Sequence, residues 1–304
     1  MTRDVGKHSD IKKSGDRGPR EFKTHVVDSE GDLMMVASGN VIATHPMNTI
    51  KNVAELMVDN DVRRVPVLDA GTDRLIGLAA AIDIMDFLAG GEKYNIMLKD
   101  YNGNFLAAVN CPISKIMVGA SYLGKKASID DAVNIMIDKR TSCIPIVEDS
   151  DSMKVVALVT ERDVMPVVDD IGVAVGDVMT SKPLTSSLGM MVSDVSKIMV
   201  RNRIRRLPVI REDHLIGVVT VFDILRMLAE GDFKGAGAEE NLSTRVDEIM
   251  EKEVVTVKPE DDLSEVGRLV KETGIGGFPV AEDGVLKGIV TTTDVLRWVY
   301  RESG

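Results

Sequence analysis

Three short segments of the chain place a threonine three residues before an aspartate: Thr160 and Asp163, Thr220 and Asp223, Thr291 and Asp294. Each lies where an apolar β-branched run gives way to an amphipathic one, so the pair sits at the start of a helix. An ionised aspartate there accepts hydrogen bonds only, and the threonine hydroxyl both donates and accepts. Two adjacent hydroxyls, as on a ribose, are a natural partner for such a carboxylate, and free N–H groups of a helix start can hold an anion. Plain helix capping is the competing account, since both residue types are common caps. A fourth copy has Ala80 in place of the threonine but keeps Asp83, and is read as a weaker site. Phosphate would need cations, and Arg63, Arg64, Arg205 and Arg206 stand two and three residues before prolines. Arginine forks match phosphate oxygens. Alternation along a strand would turn one member of each pair to solvent.

The elements that must position these residues repeat four times. Apolar ladders begin at Ile50, Ile129, Val192 and Leu263, each 16 residues before Pro66, Pro145, Pro208 and Pro279. Their spacing marks one face of a helix. In the fourth copy Val254–Val257 reads as a strand and Pro259 as the first residue of the helix, with Glu260, Asp261 and Asp262 in its first turn and Gly274 as its stop. Residues 277–282 and 286–292 then read as a hairpin turning at Glu282-Asp283-Gly284, and Asp294 opens a second helix. Each unit is β-α-β-β-α, with Pro166 cutting the last helix of the second copy short. Units this small cannot bury their own apolar faces. Pairing of copies one with two and three with four is expected, in an α/β fold. Self-periodicity of this kind decides the architecture.

The remaining features bound the function. The chain has 304 residues, 44% hydrophobic and 28% charged, with a net charge of −11 that argues against a broad nucleic-acid surface. No apolar run approaches the ~20 residues that span a membrane. Two cysteines, Cys111 and Cys143, have neither zinc nor disulfide spacing, which fits a reducing cytoplasm. The four histidines have no ligand spacing, and no nucleophile or phosphate-loop motif appears, so neither catalysis nor a metal is expected. Residues 1–32 form a basic, period-free tail read as flexible. Residues 91–114 read as a helical insertion packing on its own module, and 232–243 as a glycine-rich linker.

The segments VRRVPVLD, TSCIPIVED, IRRLPVI and IGGFPVAED, the LIG or LKG strands, the Thr-x-x-Asp steps and the lead-ins Ile116-Met117, Val178-Met179 and Ile249-Met250 together resemble tandem cystathionine-β-synthase (CBS) domains. The match covers about residues 33–301. It sets four repeats at 33–90, 115–170, 171–231 and 244–304. Ala157 departs from the pattern, standing where the family has glycine. The resemblance implies two modules of paired repeats with clefts that bind adenosine-containing ligands: AMP, ADP or ATP, with S-adenosylmethionine a further candidate. It gives Asp163, Asp223 and Asp294 the ribose hydroxyls, and the AMP-sensing kinase γ-subunits carry basic residues where the arginine pairs stand. It implies a non-enzymatic regulator that self-associates as a homodimer through its helix faces and signals to a macromolecule. The alternative is an interaction factor that docks a ribosome or other RNA assembly through its basic tail, with nucleotide structural.

Overall fold

The computed structural model describes residues 30–231, 233 and 238–302; the expected basic tail falls almost wholly outside them. The first repeat runs α1 (Leu33–Val36), α2 (Ile50–Asp59), β1 (Arg64–Leu68), β2 (Leu75–Ala80) and α3 (Ala81–Leu88). Two insertion helices follow, α4 (Tyr94–Tyr101) and α5 (Phe105–Val109). The second repeat has a 3₁₀ turn (Ile113–Lys115), β3 (Leu123–Gly124), α6 (Ile129–Lys139), β4 (Cys143–Val147) and β5 (Val155–Thr160). The third has α7 (Val175–Val178), β6 (Ser186–Ser187), α8 (Val192–Asn202), β7 (Arg206–Arg211), β8 (His214–Thr220) and α9 (Val221–Glu230). After α10 (Ala238–Asn241) in the linker, the fourth has α11 (Val246–Ile249), α12 (Leu263–Thr273), β9 (Gly277–Glu282), β10 (Val285–Thr291) and α13 (Thr292–Arg297).

Each ladder helix begins at the first residue of its ladder, and its first, fourth and eighth positions are buried in three of the copies and nearly so in the other. Gly274 ends α12 with φ of 72°, a left-handed conformation glycine adopts without strain. The prolines occupy equivalent places in β1, β4, β7 and β9, paired with Leu78, Leu158, Val218 and Ile289.

Four sequence expectations change. Residues 254–257 form no strand; Val257 alone bridges Val280. Helix α12 starts at Leu263 rather than Pro259, because Asp262 is its N-cap and accepts from Ser264 N at 2.8 Å. In the second repeat Asp163 opens no helix. Residues 161–165 make only a turn, since Pro166 has no N–H with which to close the next helical bond. The insertion holds two helices, and besides α2 and α3 it reaches the start of the linker behind the third repeat through Phe105 stacked on Phe233 at 6.4 Å.

Each lead-in crosses to its neighbour's sheet: Ser38 bridges Leu158, Val118 bridges Leu78, Thr180 bridges Ile289 and Glu251 bridges Val218. Strands β8 and β10 join repeats three and four in one sheet, and Arg74 bridges Lys154 between repeats one and two. The pairs are thus one with two and three with four. The helices pack in the other sense. One core unites the helices of repeats one and three, and a second those of two and four. The apolar faces that suggested a homodimer are therefore covered inside the chain, by the other module.

A glycine in β2, β8 and β10 lets these lead-ins approach. A Cβ on Gly217 would lie 2.6 Å from Met250 Sδ, and one on Gly288 2.5 Å from Met179 Sδ. Gly77 faces Met117 in the same way. Ala157 is tolerated because the residue before the Ser38 bridge is Ala37, not a methionine.

Candidate functional site

Each Thr-x-x-Asp folds as an extended strand end running into a helical turn, and the aspartate uses one oxygen locally. Asp223 Oδ2 accepts from Thr220 N at 2.8 Å and Thr220 Oγ1 at 2.7 Å. Asp294 Oδ2 takes the equivalent bonds from Thr291 at 2.8 and 2.7 Å, and Asp163 Oδ2 those from Thr160, both at 2.7 Å. Capping and ligand binding are therefore compatible. The Oδ1 atoms of Asp163 and Asp223 make no hydrogen bond among the described residues, while Asp294 Oδ1 has Arg297 Nη1 at 4.0 Å. Burial pushes the Asp294 carboxyl up against the lowering effect of its Thr291 bonds. At Asp83 the arrangement differs: with no threonine at Ala80, Oδ1 takes the ammonium of Lys93 from the insertion.

The four arginines meet at the centre, where the modules face each other. Two cavities open there, of about 290 and 340 Å³, and Arg63, Arg64, Arg205 and Arg206 line both. The first holds Thr220, Asp223, Phe222 and Arg226 of repeat three, with Glu251 and Glu253–Val255 of the repeat-four lead-in. The second holds Thr160, Glu161 and Arg162 of repeat two, with Gly274–Gly276 and Thr292 of repeat four. Strand alternation does not turn one arginine of each pair away, because β1 begins at Arg64 and β7 at Arg206. Arg63 and Arg205 precede the pleat and are free to turn inward.

Arg64 and Arg205, from different modules, both donate to Ser142 Oγ, the latter at 3.0 Å. Arg206 donates to the Gly277 carbonyl. Arg63 lies over the Phe222 ring at 5.1 Å and Arg226 over the same ring at 5.2 Å. Burial, reinforced by the charge of Arg205, brings the Arg64 and Arg206 guanidinium groups down to about 10. Glu161, only 7% exposed, opposes both; its oxygens accept from Thr292 Oγ1 at 2.6 Å and Thr293 Oγ1 at 3.0 Å. The centre gathers more guanidinium groups than carboxylates, the latter including Asp223, Glu161, Glu251 and Glu253, and is suited to a polyanion.

Of the residues picked from sequence, the first cavity gathers Thr220, Asp223 and all four arginines, and the second Thr160 with the same arginines. Asp83, Asp163, Thr291 and Asp294 line neither. Sequence reasoning missed Ser142, Glu161, Phe222 and Arg226. A signal for Ser142 existed, because Arg63-Arg64, Ser142-Cys143, Arg205-Arg206 and Gly276-Gly277 stand in one register before the four prolines. Arginine pairs in repeats one and three face small residues of two and four.

The family model described as CBS domain matches residues 30–90, 113–170, 175–230 and 246–301. Protein MJ1225 of Methanocaldococcus jannaschii is 34% identical over 276 residues, 88% of this chain and 98% of that one. Its crystal structure, suggested to be that of an archaeal homolog of g-AMPK, superposes with a TM-score of 0.81 over 88% of this chain and 99% of its own. A 33.4 kDa protein of the ribosomal RNA operon of Thermofilum pendens is 28% identical over 84% of this chain and 86% of its own. Inosine-5′-monophosphate dehydrogenase of Staphylococcus haemolyticus matches at 26% over 60% of this chain but only 38% of the enzyme. The repeats, their pairing into two modules and these matches establish that the chain belongs to the CBS-domain family, as a tandem array of four.

Proposed function

We propose that this non-catalytic CBS array senses an adenine nucleotide, or a related adenosyl ligand, at the centre between its modules and passes the signal to a macromolecular partner. The observation that carries the reading is the joint presence of Asp223, with one uncommitted carboxylate oxygen, and four arginines around one cavity of about 290 Å³. The ribose hydroxyls bind Asp223 Oδ1, the base lies along Val254 and Val255, and the phosphates meet the arginines. Charge favours nucleotides with more phosphate over S-adenosylmethionine. Arg63 and Arg64 come from one module and Arg205 and Arg206 from the other, so a bound anion ties the two together. A ligand that prefers one spacing of the modules shifts the population toward it.

The test is calorimetry and thermal unfolding of the full chain with AMP, ADP, ATP and S-adenosylmethionine. A ligand at 100 times its Kd stabilises by about 2.7 kcal/mol. If no adenosine compound raises the unfolding midpoint, the reading fails, and removal of residues 1–32 becomes the decisive experiment for a docking role.

A further inference from the structure

Repeat one carries the ligand-type aspartate, yet its surroundings are built for something else. Asp83 holds the same first-turn position in α3 that Asp223 holds in α9, but Ala80 supplies no hydroxyl. Its Oδ1 accepts instead from Lys93 Nζ, and the two side chains are only 17% and 20% exposed. A pair this shielded from solvent is weakly screened by salt. The lysine is also held in place by its backbone. Lys93 N donates to Asp86 Oδ1 at 2.7 Å, and Lys93 O accepts from Ile96 N at 2.9 Å.

The loop that delivers the lysine has little freedom. Gly90 has φ of +88°, where a side chain would be strained. A Cβ on Gly91 would lie 2.2 Å from Asp86 Oδ1 and 2.4 Å from Val200 Cγ1, so only glycine fits between α3 and helix α8 of the third repeat. The insertion is anchored at its far end as well, through Phe105 on Phe233. Ala80, Ala81 and Ile82, next to Asp83 in sequence, line the first central cavity.

An ammonium and a pair of ribose hydroxyls compete for the same carboxylate oxygen. We infer that Lys93 is an internal cation that occupies the nucleotide position of repeat one, and is the residue that limits how many nucleotides the chain takes. This rests on the nucleotide reading of the Thr-x-x-Asp steps given above.

The test is the stoichiometry of ATP binding to the full chain by calorimetry. Ala80→Thr restores the missing hydroxyl with the lysine in place. Ala80→Thr with Lys93→Met restores it and removes the charge while keeping the apolar stem. The single variant gains no ATP molecule over the wild type, and because Ala80 lines the central cavity the readout is the number bound rather than the affinity. The double variant binds one more per chain, and adding Asp83→Asn abolishes the extra one. A gain in the single variant, or none in the double, overturns the inference. Should the double variant fail to fold, Asp83→Asn alone decides: it leaves the wild-type stoichiometry unchanged, and a loss of one ATP means that Asp83 already holds ligand. Failure of the parent reading looks different. A wild type that binds no ATP refutes that reading, and an added site in the double variant then still supports closure by Lys93.

Discussion

Replacing Asp223 by asparagine separates capping from binding. In the wild type Asp223 lines the cavity, its Oδ2 takes both Thr220 bonds and its Oδ1 has no hydrogen-bond partner among the described residues. The amide side chain of the Asp223→Asn variant keeps a carbonyl that can accept the Thr220 N–H, so the helix start weakens by no more than about 1 kcal/mol. The charge is lost, and a hydrogen bond from a ligand hydroxyl to a carboxylate is worth about 1.5–3 kcal/mol. At about 1.4 kcal/mol per factor of ten, AMP should bind roughly 10- to 150-fold more weakly. Calorimetric titration with AMP gives the affinity, and urea unfolding of the ligand-free variant gives the stability. Asp294→Asn is the control, since it has the same capping bonds but lines neither central cavity. AMP affinity within twofold of wild type for Asp223→Asn, or equal losses in both variants, refutes the assignment.

Two further outcomes follow from the centre and from one helix cap. Arg205 lowers both Arg64 and Arg206 by its charge, and its removal leaves Ser142 still bonded to Arg64. Arg205→Met therefore raises the ligand-free unfolding midpoint by about 2 °C and weakens ATP more than AMP, a trade of stability for function; a lowered midpoint with unchanged ATP affinity refutes it. Asp262 accepts from Ile171 N, Gly172 N, Val173 N and Ser264 N at 2.8–3.2 Å, tying the segment between repeats two and three to α12. Asp262→Ala should cost about 2–4 kcal/mol in urea unfolding at neutral pH. Burial alone pushes this carboxyl up, but the bonds from Ser264 and Ile171 more than reverse it, so it titrates below its ordinary value. Its contribution is present above the unfolded value of about 4 and is lost as the pH falls through the lower folded one, so the gap between variant and wild type closes in acid.

The ladders and hairpins were legible because each rests on a local rule, helical spacing or turn residues, and the pairing because units this small cannot bury their own apolar faces. The strand at 254–257 misled because short β-branched runs suit any extended segment, and only the partner decides whether a ladder forms. Pro259 is acceptable at a helix start, yet Asp262 captures four backbone amides and fixes the cap there. The departure at Ala157 became intelligible only beside Ala37, more than a hundred residues earlier. Thr-x-x-Asp was readable as a step, but which copy opens on a cavity depends on how the modules dock. That docking is set by two cores drawn from helices far apart in sequence.

The unevenness of the repeats has an electrostatic cause. Their equivalent positions before the prolines all point to one centre, so an arginine pair in every repeat would bring twice as many guanidinium groups together. Burial first, and then the charges of neighbouring arginines, already depress Arg64 and Arg206, and two carboxylates that oppose this are engaged elsewhere: Glu161 by two threonines and Asp83 by Lys93. At an effective dielectric of about 20, each further pair of like charges some 4 Å apart would cost about 4 kcal/mol. Ser142 and Gly276-Gly277 resolve the conflict by giving small residues, a hydroxyl and a carbonyl where further cations would repel. Fourfold sequence symmetry thus becomes twofold chemistry, with cations from repeats one and three and acceptors from two and four. On the proposed reading, an anion at the centre meets arginines of both modules, and a site so shared, rather than four independent clefts, would let phosphate content act on the spacing of the modules.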